Sequence, residues 1–334
     1  MPIVSIIIVN YNGREIVLDC LRSIEAQSFK NFEVIVVDNG SSDDSILRIQ
    51  EFARRNNPGL AIKIISLRRN LGFAGGCIVG LNYSKAEFVG LLNNDTEADQ
   101  KWLEELIKAM KSDSNIGICA SKMIVKDADI LDSAGDGFSF LLKGFKRGEG
   151  EKASLYNERK YIFGACAGAA LYRKKMIEEI GFLDEDFFLI HEDTDLNFRA
   201  QLYGWKVLYV PTAIVYHKVR SSIGKNSRLA IYYTLRNKEL LRIKNLPLQI
   251  FIRCFAEFII EMVTEFLYFA IKHGQILLYI EGKKDALRIF KKMRKKRAEI
   301  MKNKKVSYKY MLSIMTPIWQ ENFLRSKIKK FIQD

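Results

Sequence analysis

Residues 3–13 read Ile3-Val4-Ser5-Ile6-Ile7-Ile8-Val9-Asn10-Tyr11-Asn12-Gly13. An apolar, β-branched run with no polar alternation is the pattern of a strand buried on both faces. It stops at a polar cluster with an Asn-Gly turn. The same unit recurs downstream. Glu33–Val37 stops at Asp38-Asn39-Gly40-Ser41-Ser42-Asp43, Ile62–Ser66 leads to Arg68-Arg69-Asn70, and Phe88–Leu92 stops at Asn93-Asn94-Asp95. Helical periodicity fills the gaps, over roughly 14–27, 44–55 and 99–111, with a turn at Pro58-Gly59 and a further strand at Ile116–Ala120. Strands joined by right-handed helical crossovers give an α/β fold: a mainly parallel, Rossmann-like sheet sandwiched by helices. Ligands of such sheets bind beyond the carboxyl ends of the strands. The polar clusters at 10–12, 38–43, 68–70 and 93–95 are therefore expected to converge on one edge.

The rest of the chain is less regular. Asn70–Gly76 reads as a loop before a short helix, and residues 127–160, rich in Gly and mixed charge, read as mobile loops with a short hairpin. Phe163–Leu171 is small and apolar, with Gly164 and Gly168, which suits close backbone packing near a ligand. A helix over Arg173–Ile180 stops at Gly181, and one beginning near Glu192 stops at Gly204. Strands follow at Val207–Val210 and Ala213–His217. Beyond Pro247 the stretch 248–272 is apolar, with polar residues at Gln249, Arg253, Glu257, Glu261, Glu265 and, off register, Lys272. That spacing draws a narrow polar stripe on one long helix. Charges interrupt it too often for a membrane span.

The 334 residues carry a net charge of +14, but unevenly: residues 281–334 hold 17 Lys and Arg against 5 Asp and Glu. The body is nearly neutral and the tail is basic, which calls for an anionic partner. Beside an apolar helix, a lipid surface fits that partner better than nucleic acid, and no RNA-binding motif is present. The five Cys (20, 77, 119, 166, 254) form no CxxC pair and read as reduced residues. Ile3–Val9 has no basic residue before it, so it reads as a strand and not as a secretory leader. A helical, basic extension on an α/β body is the expected organisation, peripheral on the cytoplasmic face of a membrane.

Four constellations carry chemistry. Asp38 beyond the second strand can accept a hydrogen bond from a base or ribose, with Arg69, Asn70 and a stacking Tyr11 completing the pocket. It can equally cap the next helix. Asp95 in Asn93-Asn94-Asp95 can hold a hard cation against a diphosphate, or merely close an Asx turn. Glu192-Asp193-Thr194-Asp195 crowds three acids at a helix start, where one can act as general base or simply as a cap. His217 ends an apolar strand, where it can complete a metal site or sit as a satisfied partly buried imidazole. No GxGxxG or GxxxxGK[ST] occurs, which disfavours a nicotinamide enzyme and a P-loop NTPase.

The order of these motifs resembles a family 2 glycosyltransferase, closest to its rhamnosyltransferase-like branch. The resemblance rests on Ser5–Asn12, Val36–Ser41, Asn70–Gly76, Leu91–Asp95, Gly181–Phe188, Glu192–Arg199 and Gly204-Trp205. It covers about residues 1–240. It implies the glycosyltransferase-A fold and an inverting transfer from a nucleoside-diphosphate sugar, a UDP- or dTDP-sugar, to a hydroxyl of a glycan or polyprenyl-linked saccharide. It further implies nucleotide-sugar binding by Asn10, Tyr11, Asn12, Asp38, Arg69, Asn70, Gly72, Asn93 and Asn94. A divalent metal, Mg2+ or Mn2+, would sit on Asp95 and His217. Asp193, beside Glu192, would be the base, and Gly168, Ala169 and Trp205 would serve the acceptor. Asn93 stands where the family's first metal-binding acid is usual, which shifts weight to His217. Arg236-Asn237 matches a branch motif without a stated role. Residues 1–240 are expected to form the catalytic domain, 1–120 the nucleotide-sugar half and 121–240 the acceptor half, with 241–334 the membrane-associating extension. The competing expectation is a non-catalytic nucleotide-sugar-binding subunit. A nucleotidyltransferase would need a Gly-rich triphosphate loop after the first strand, and Asn10–Gly13 is not one.

Overall fold

The computed structural model describes residues 1–55, 60–218 and 227–319, so the turn expected at Pro58-Gly59 lies outside the described residues. The first part of the chain gives β1 (Val4–Asn10), α1 (Ile16–Glu25), β2 (Phe32–Asp38), α2 (Ser45–Arg55), β3 (Ile62–Ser66), α3 (Gly72–Tyr83), β4 (Phe88–Leu92), β5 (Thr96–Ala98), α4 (Trp102–Lys111) and β6 (Ile116–Val125). Then follow β7 (Leu131–Ser133), β8 (Asp136–Phe138), β9 (Gly144–Lys146), β10 (Lys160–Ile162), β11 (Ala169–Arg173), α5 (Lys174–Ile180), α6 (Glu192–Leu202) and β12 (Lys206–His217). Six α-helices and a π-helix (Phe266–Lys272) complete the described chain: α7 (Arg228–Asn245), α8 (Leu248–Arg253), α9 (Phe255–Glu265), then the π-helix, α10 (Ile276–Arg288), α11 (Phe290–Asn303) and α12 (Tyr308–Ile314).

One sheet runs β10-β12-β6-β11-β4-β1-β2-β3, with β5 on β12 and β7 on β6. β3, β2, β1 and β4 are parallel, as the buried apolar runs require. The second half departs from that pattern: β11 enters antiparallel between β4 and β6. It follows a loop and not a crossover helix, and antiparallel neighbours need no crossover. Val17, Cys20, Leu21 and Ile24 of α1 join Trp102, Leu103 and Leu106 of α4 on one face of the sheet. Ala74 and Cys77 of α3 and Met176 of α5 cover the other.

Three expectations are corrected. The segment 72–76 is not loop but the start of α3, because its glycines serve close packing. A Cβ on Gly76 would stand 2.7 Å from Val9 Cγ1, and one on Gly72 (φ +75°) would stand 2.4 Å from the Phe188 carbonyl oxygen. Residues 127–160 do form a hairpin, β8 with β9, but they are not loose: Asp132, Ser133, Asp136 and Phe138 are buried. Their turn glycines let apolar residues fold inward. Finally, 248–272 is not one helix. It breaks at Cys254 between α8 and α9 and continues as a π-helix over Phe266–Lys272.

The last helices pack back on the body. Leu240, Leu241 and Leu246 from the α7 end, and Met293 and Ile300 of α11, share a core with Phe138, Phe163, Phe187 and Phe198. Position 240 therefore lies inside α7, with no linker there.

Candidate active site

The strand ends meet as their polarity required. Asn10 of β1 is buried, donates to Asp38 Oδ1 at 3.2 Å and accepts from Asn94 Nδ2 at 2.9 Å. One amide thus ties β1, β2 and the end of β4. Asp38 also accepts from Ser41 Oγ (2.5 Å) and Ser41 N (3.2 Å), so its carboxylate organises its own loop. Asn12 does likewise for Ser42 N at 2.8 Å.

A cleft of roughly 740 Å³ opens beside these ends. Of the residues singled out in the sequence, Tyr11, Asn70, Gly72, Asn93, Asn94, Gly168, Glu192 and Asp193 line it. Asn10, Asn12, Asp38, Asp95 and His217 are not among the lining residues, and Asn12 is exposed. Arg69 and Ala169 do not line the cleft either; Arg69 is exposed, and Ala169 is buried in the core on the α1 and α4 face. Trp205 is not brought to the site. It precedes β12, a strand of 12 residues whose other end is His217, and its Nε1 donates to Glu179 at 2.9 Å.

The acids converge at the start of α6. Asp193 accepts from Thr194 N at 2.6 Å and from Ala167 N at 3.3 Å. Burial pushes its carboxyl above the usual range, against those two hydrogen bonds. Burial, then the neighbouring Asp193, raise Glu192 well above that range, and its Oε2 finds no partner among the described residues. Asp136 of the β8–β9 hairpin lines the same cleft, has its Oδ1 buried without a partner among those residues, and is raised by burial and then by Asp193. Three carboxyl groups of raised proton affinity thus line one concave site.

At the end of β12, His217 Nε2 lies 3.3 Å from Asp95 Oδ1 and Nδ1 lies 2.9 Å from Asp132 Oδ2. Burial alone would lower the imidazole, but the hydrogen bonds to Asp132 and Asp95 outweigh it and lift it to about 9. Lys146 closes the far side, donating to both oxygens of Asp132 at 2.9 Å. Asp95 and His217 can share a cation, with Asp132 orienting the ring as a carboxylate does behind a metal-bound imidazole. Among the described residues no third ligating side chain joins them. A hard cation held there would take its remaining positions from phosphate oxygens and water.

Sequence reasoning missed Asp132, Asp136 and Lys146. They belong to the segment read as loops. The one available signal was an acid on either side of a Gly turn, Asp132-Ser133-Ala134-Gly135-Asp136.

Residues 5–181 match the model of the family described as "Glycosyl transferase family 2". A poly-beta-1,6-N-acetyl-D-glucosamine synthase of Staphylococcus epidermidis is 25% identical over 223 residues, 66% of this chain and 51% of that protein. An uncharacterized glycosyltransferase of Haemophilus influenzae is 27% identical over 135 residues, 40% of this chain and 41% of that one. The chain thus spans about half the length, or less, of the curated relatives it matches. Among solved structures, S. aureus TarS 1-349 in complex with UDP aligns over 91% of this chain and 89% of its own, with TM-score 0.57 and 19% identity. The mannosyltransferase PcManGT from Pyrobaculum calidifontis, in complex with GDP-Man and Mn2+, aligns over 96% and 88%, with TM-score 0.57 and 15% identity. These likenesses agree on the fold, a central sheet flanked by helices, and the family model covers more than half of the chain. The chain is a member of glycosyl transferase family 2.

Proposed function

We propose that this glycosyltransferase transfers a sugar, with inversion, from a UDP- or dTDP-sugar to a hydroxyl of a glycan or polyprenyl-linked saccharide, with Asp193 as the base. The observation that carries the reading is Asp193 itself: a half-buried carboxyl of raised proton affinity, held by Ala167 N and Thr194 N, facing a cleft lined by strand-end residues. A base of raised pKa works near neutral pH. Asp193 takes the acceptor hydroxyl's proton as that oxygen bonds to the anomeric carbon, and the bond to the diphosphate oxygen breaks on the opposite face. One displacement inverts the centre, and no nucleophilic carboxylate is needed. The anomeric carbon gains oxocarbenium character, as in glycoside hydrolysis. Asp95 and His217 would hold Mg2+ or Mn2+, whose chemistry is to offset charge on the departing diphosphate. Tyr11 and Asn70 are assigned to the nucleotide, and Gly168 to the acceptor.

The reading includes a division of labour, with residues 1–120 for the donor, 121–240 for the acceptor and 241–334 for membrane attachment. An anionic cytoplasmic leaflet is the proposed surface. Support comes from an inside-out helix. Glu257, Glu261 and Glu265 of α9 are buried, and Lys143, Lys238 and Lys283 pair with Glu261 and Glu265. The apolar side of α9 faces out instead, with Ile260 and Val263 50 and 51% exposed, and Ile252 of α8, Ile271 of the π-helix and Leu277 of α10 are exposed as well. Exposed apolar surface on this scale marks a contact face, and exposed Arg253 of α8 and Lys284 and Arg288 of α10 lie along the same helices. Among the described residues no helix is long and apolar enough to cross a membrane. Incubation with nucleotide sugars and lipid extract, with release of nucleoside diphosphate as the readout, tests the transfer. Wild-type release that is lost in Asp193→Asn supports it, and equal release by both sinks it.

A further inference from the structure

We infer that Arg236 and Asn237 of α7 are positioning residues that set the loop carrying Asp193. This rests on the reading of Asp193 as the base. The loop in question, 187–191, runs directly into Glu192 and Asp193 and contributes Phe188, Leu189, Ile190 and His191 to the cleft. Its backbone is strained. Phe188, Ile190 and His191 have φ of +62, +65 and +71° without being glycine. Phe188 (ψ −65°) centres a γ-turn of the rarer hand, closed by Leu189 N donating to Phe187 O at 2.6 Å. Such geometry persists only where surrounding groups hold it.

One side chain does most of the holding. Asn237 Nδ2 donates to the carbonyl oxygens of Phe187 (2.7 Å), Leu189 (2.8 Å) and Ile190 (2.8 Å). Those are three acceptors within four consecutive residues, all met by one fully buried amide. Arg236 Nη1 donates to Asn237 Oδ1 at 2.8 Å, which turns the amide so that its NH2 faces the loop, and to Asp186 O at 2.8 Å. Tyr233, one turn earlier on α7, stacks on Phe188 with ring centroids 5.1 Å apart. From the opposite side Ala74 N donates to Phe188 O at 3.0 Å. The loop is therefore gripped between α7 and the start of α3. Neither Arg236 nor Asn237 lines the cleft, so their effect passes through the loop.

The test compares full-length wild type with Asn237→Ala, Arg236→Gln and, as control, Tyr232→Phe. Tyr232 donates to Asp285 on the α10 side of the same helix, at 2.7 Å. Hydrogen exchange of the amides at 186–195 is read without any ligand, and turnover of a UDP-, dTDP- or GDP-sugar is read beside nucleoside diphosphate affinity. The expected result in both clamp variants is exchange at 186–195 faster by about tenfold or more, with β1 and β4 unchanged. Turnover should fall by up to about a hundredfold while affinity stays put, because a small misplacement of a catalytic group costs rate and not nucleotide binding. Arg236→Gln keeps the Asn237 packing and serves if Asn237→Ala does not fold. Unchanged exchange at 186–195, or faster exchange with full turnover, overturns the proposal. A wild type that turns over no donor counts against the proposed function instead, and the exchange result then decides the clamp by itself.

Discussion

His217 Nδ1 stands 2.9 Å from Asp132 Oδ2, and the other ring nitrogen stands 3.3 Å from Asp95 Oδ1. The imidazole is thus fixed between a strand-end acid and an acid from the β6–β7 ladder. On the proposed reading a cation would sit between Nε2 and Asp95, while Asp132 orients the ring through Nδ1. With the proton affinity of His217 lifted to about 9, a cation must displace a proton to bind. Mn2+ affinity is therefore expected to rise with pH up to about 9. Asp132→Asn should weaken it by about 10–100-fold. Calorimetry with Mn2+ and a nucleoside diphosphate measures both, and a pH-independent affinity would rule out His217 as a ligand.

Asp193→Asn keeps the size of the side chain and removes the proposed base. Nucleotide affinity should be unchanged and transfer should fall by about 10²–10⁴-fold, the usual worth of a general base. Equal loss of both would make Asp193 a structural residue.

The raised carboxyls set the pH profile. As the proposed base, Asp193 must lose its proton to act, and burial raises the pH at which it does so. The rate should climb with pH above the ordinary carboxylate range of about 4. The same raised group stabilises the fold at low pH and loses that contribution as pH rises through its folded value. A rate–pH profile with its rising limb at about 4 or below would contradict the assigned environment.

Much of this was legible in the sequence, for reasons that differ by region. β1, β2 and β4 announced themselves because strands buried on both faces must be continuous apolar runs. The polar residues beyond them had to meet because parallel strands share one carboxyl edge. Asp38 was legible as important but not in role, since capping a turn and contacting a base use the same residue type. Trp205 misled: a motif neighbour along the chain sits at the far end of β12. The tight packing of residues 127–160 was hidden because glycines that serve tight turns look like those of loose loops. In α9 the stripe of glutamates was visible, but its direction was not. A stripe reads as the solvent side unless cations elsewhere in the chain, here Lys143, Lys238 and Lys283, cover it.

That inversion has a measurable consequence in acid. Burial alone would raise Glu261, but Lys238 and Lys143 outweigh it and hold its carboxyl at about 2, below the ordinary 4.5. A depressed carboxylate stabilises the fold above its unfolded value and loses that contribution as pH falls through the folded one. Glu261→Gln should cost about 3–5 kcal/mol at neutral pH, as for a broken buried pair. The difference from wild type should close between pH 4.5 and about 2. Denaturant melts across that range check it, and a constant difference would argue against the ion pairs.

The outward face makes a separate claim. Ile260, Ile271 and Leu277 are exposed on α9, the π-helix and α10. Replacing all three by Glu in the full chain should abolish sedimentation with anionic phospholipid vesicles, since each apolar side chain contributes about 1.5–3 kcal/mol when buried. The melting temperature should hold. Undiminished vesicle binding would remove the lipid surface from the account.

The central claim is a cation-assisted nucleotide-sugar site at the carboxyl edge of the sheet. Its most direct test is a thermal-shift panel of UDP-, dTDP- and GDP-sugars, each with Mn2+, Mg2+ or chelator, on wild type and Asp95→Ala. A donor at 100 times its dissociation constant should stabilise the fold by about 2.7 kcal/mol. The expected result is one donor whose shift requires the cation and disappears in Asp95→Ala. A shift of equal size in the variant, or none in wild type with any donor, would contradict it.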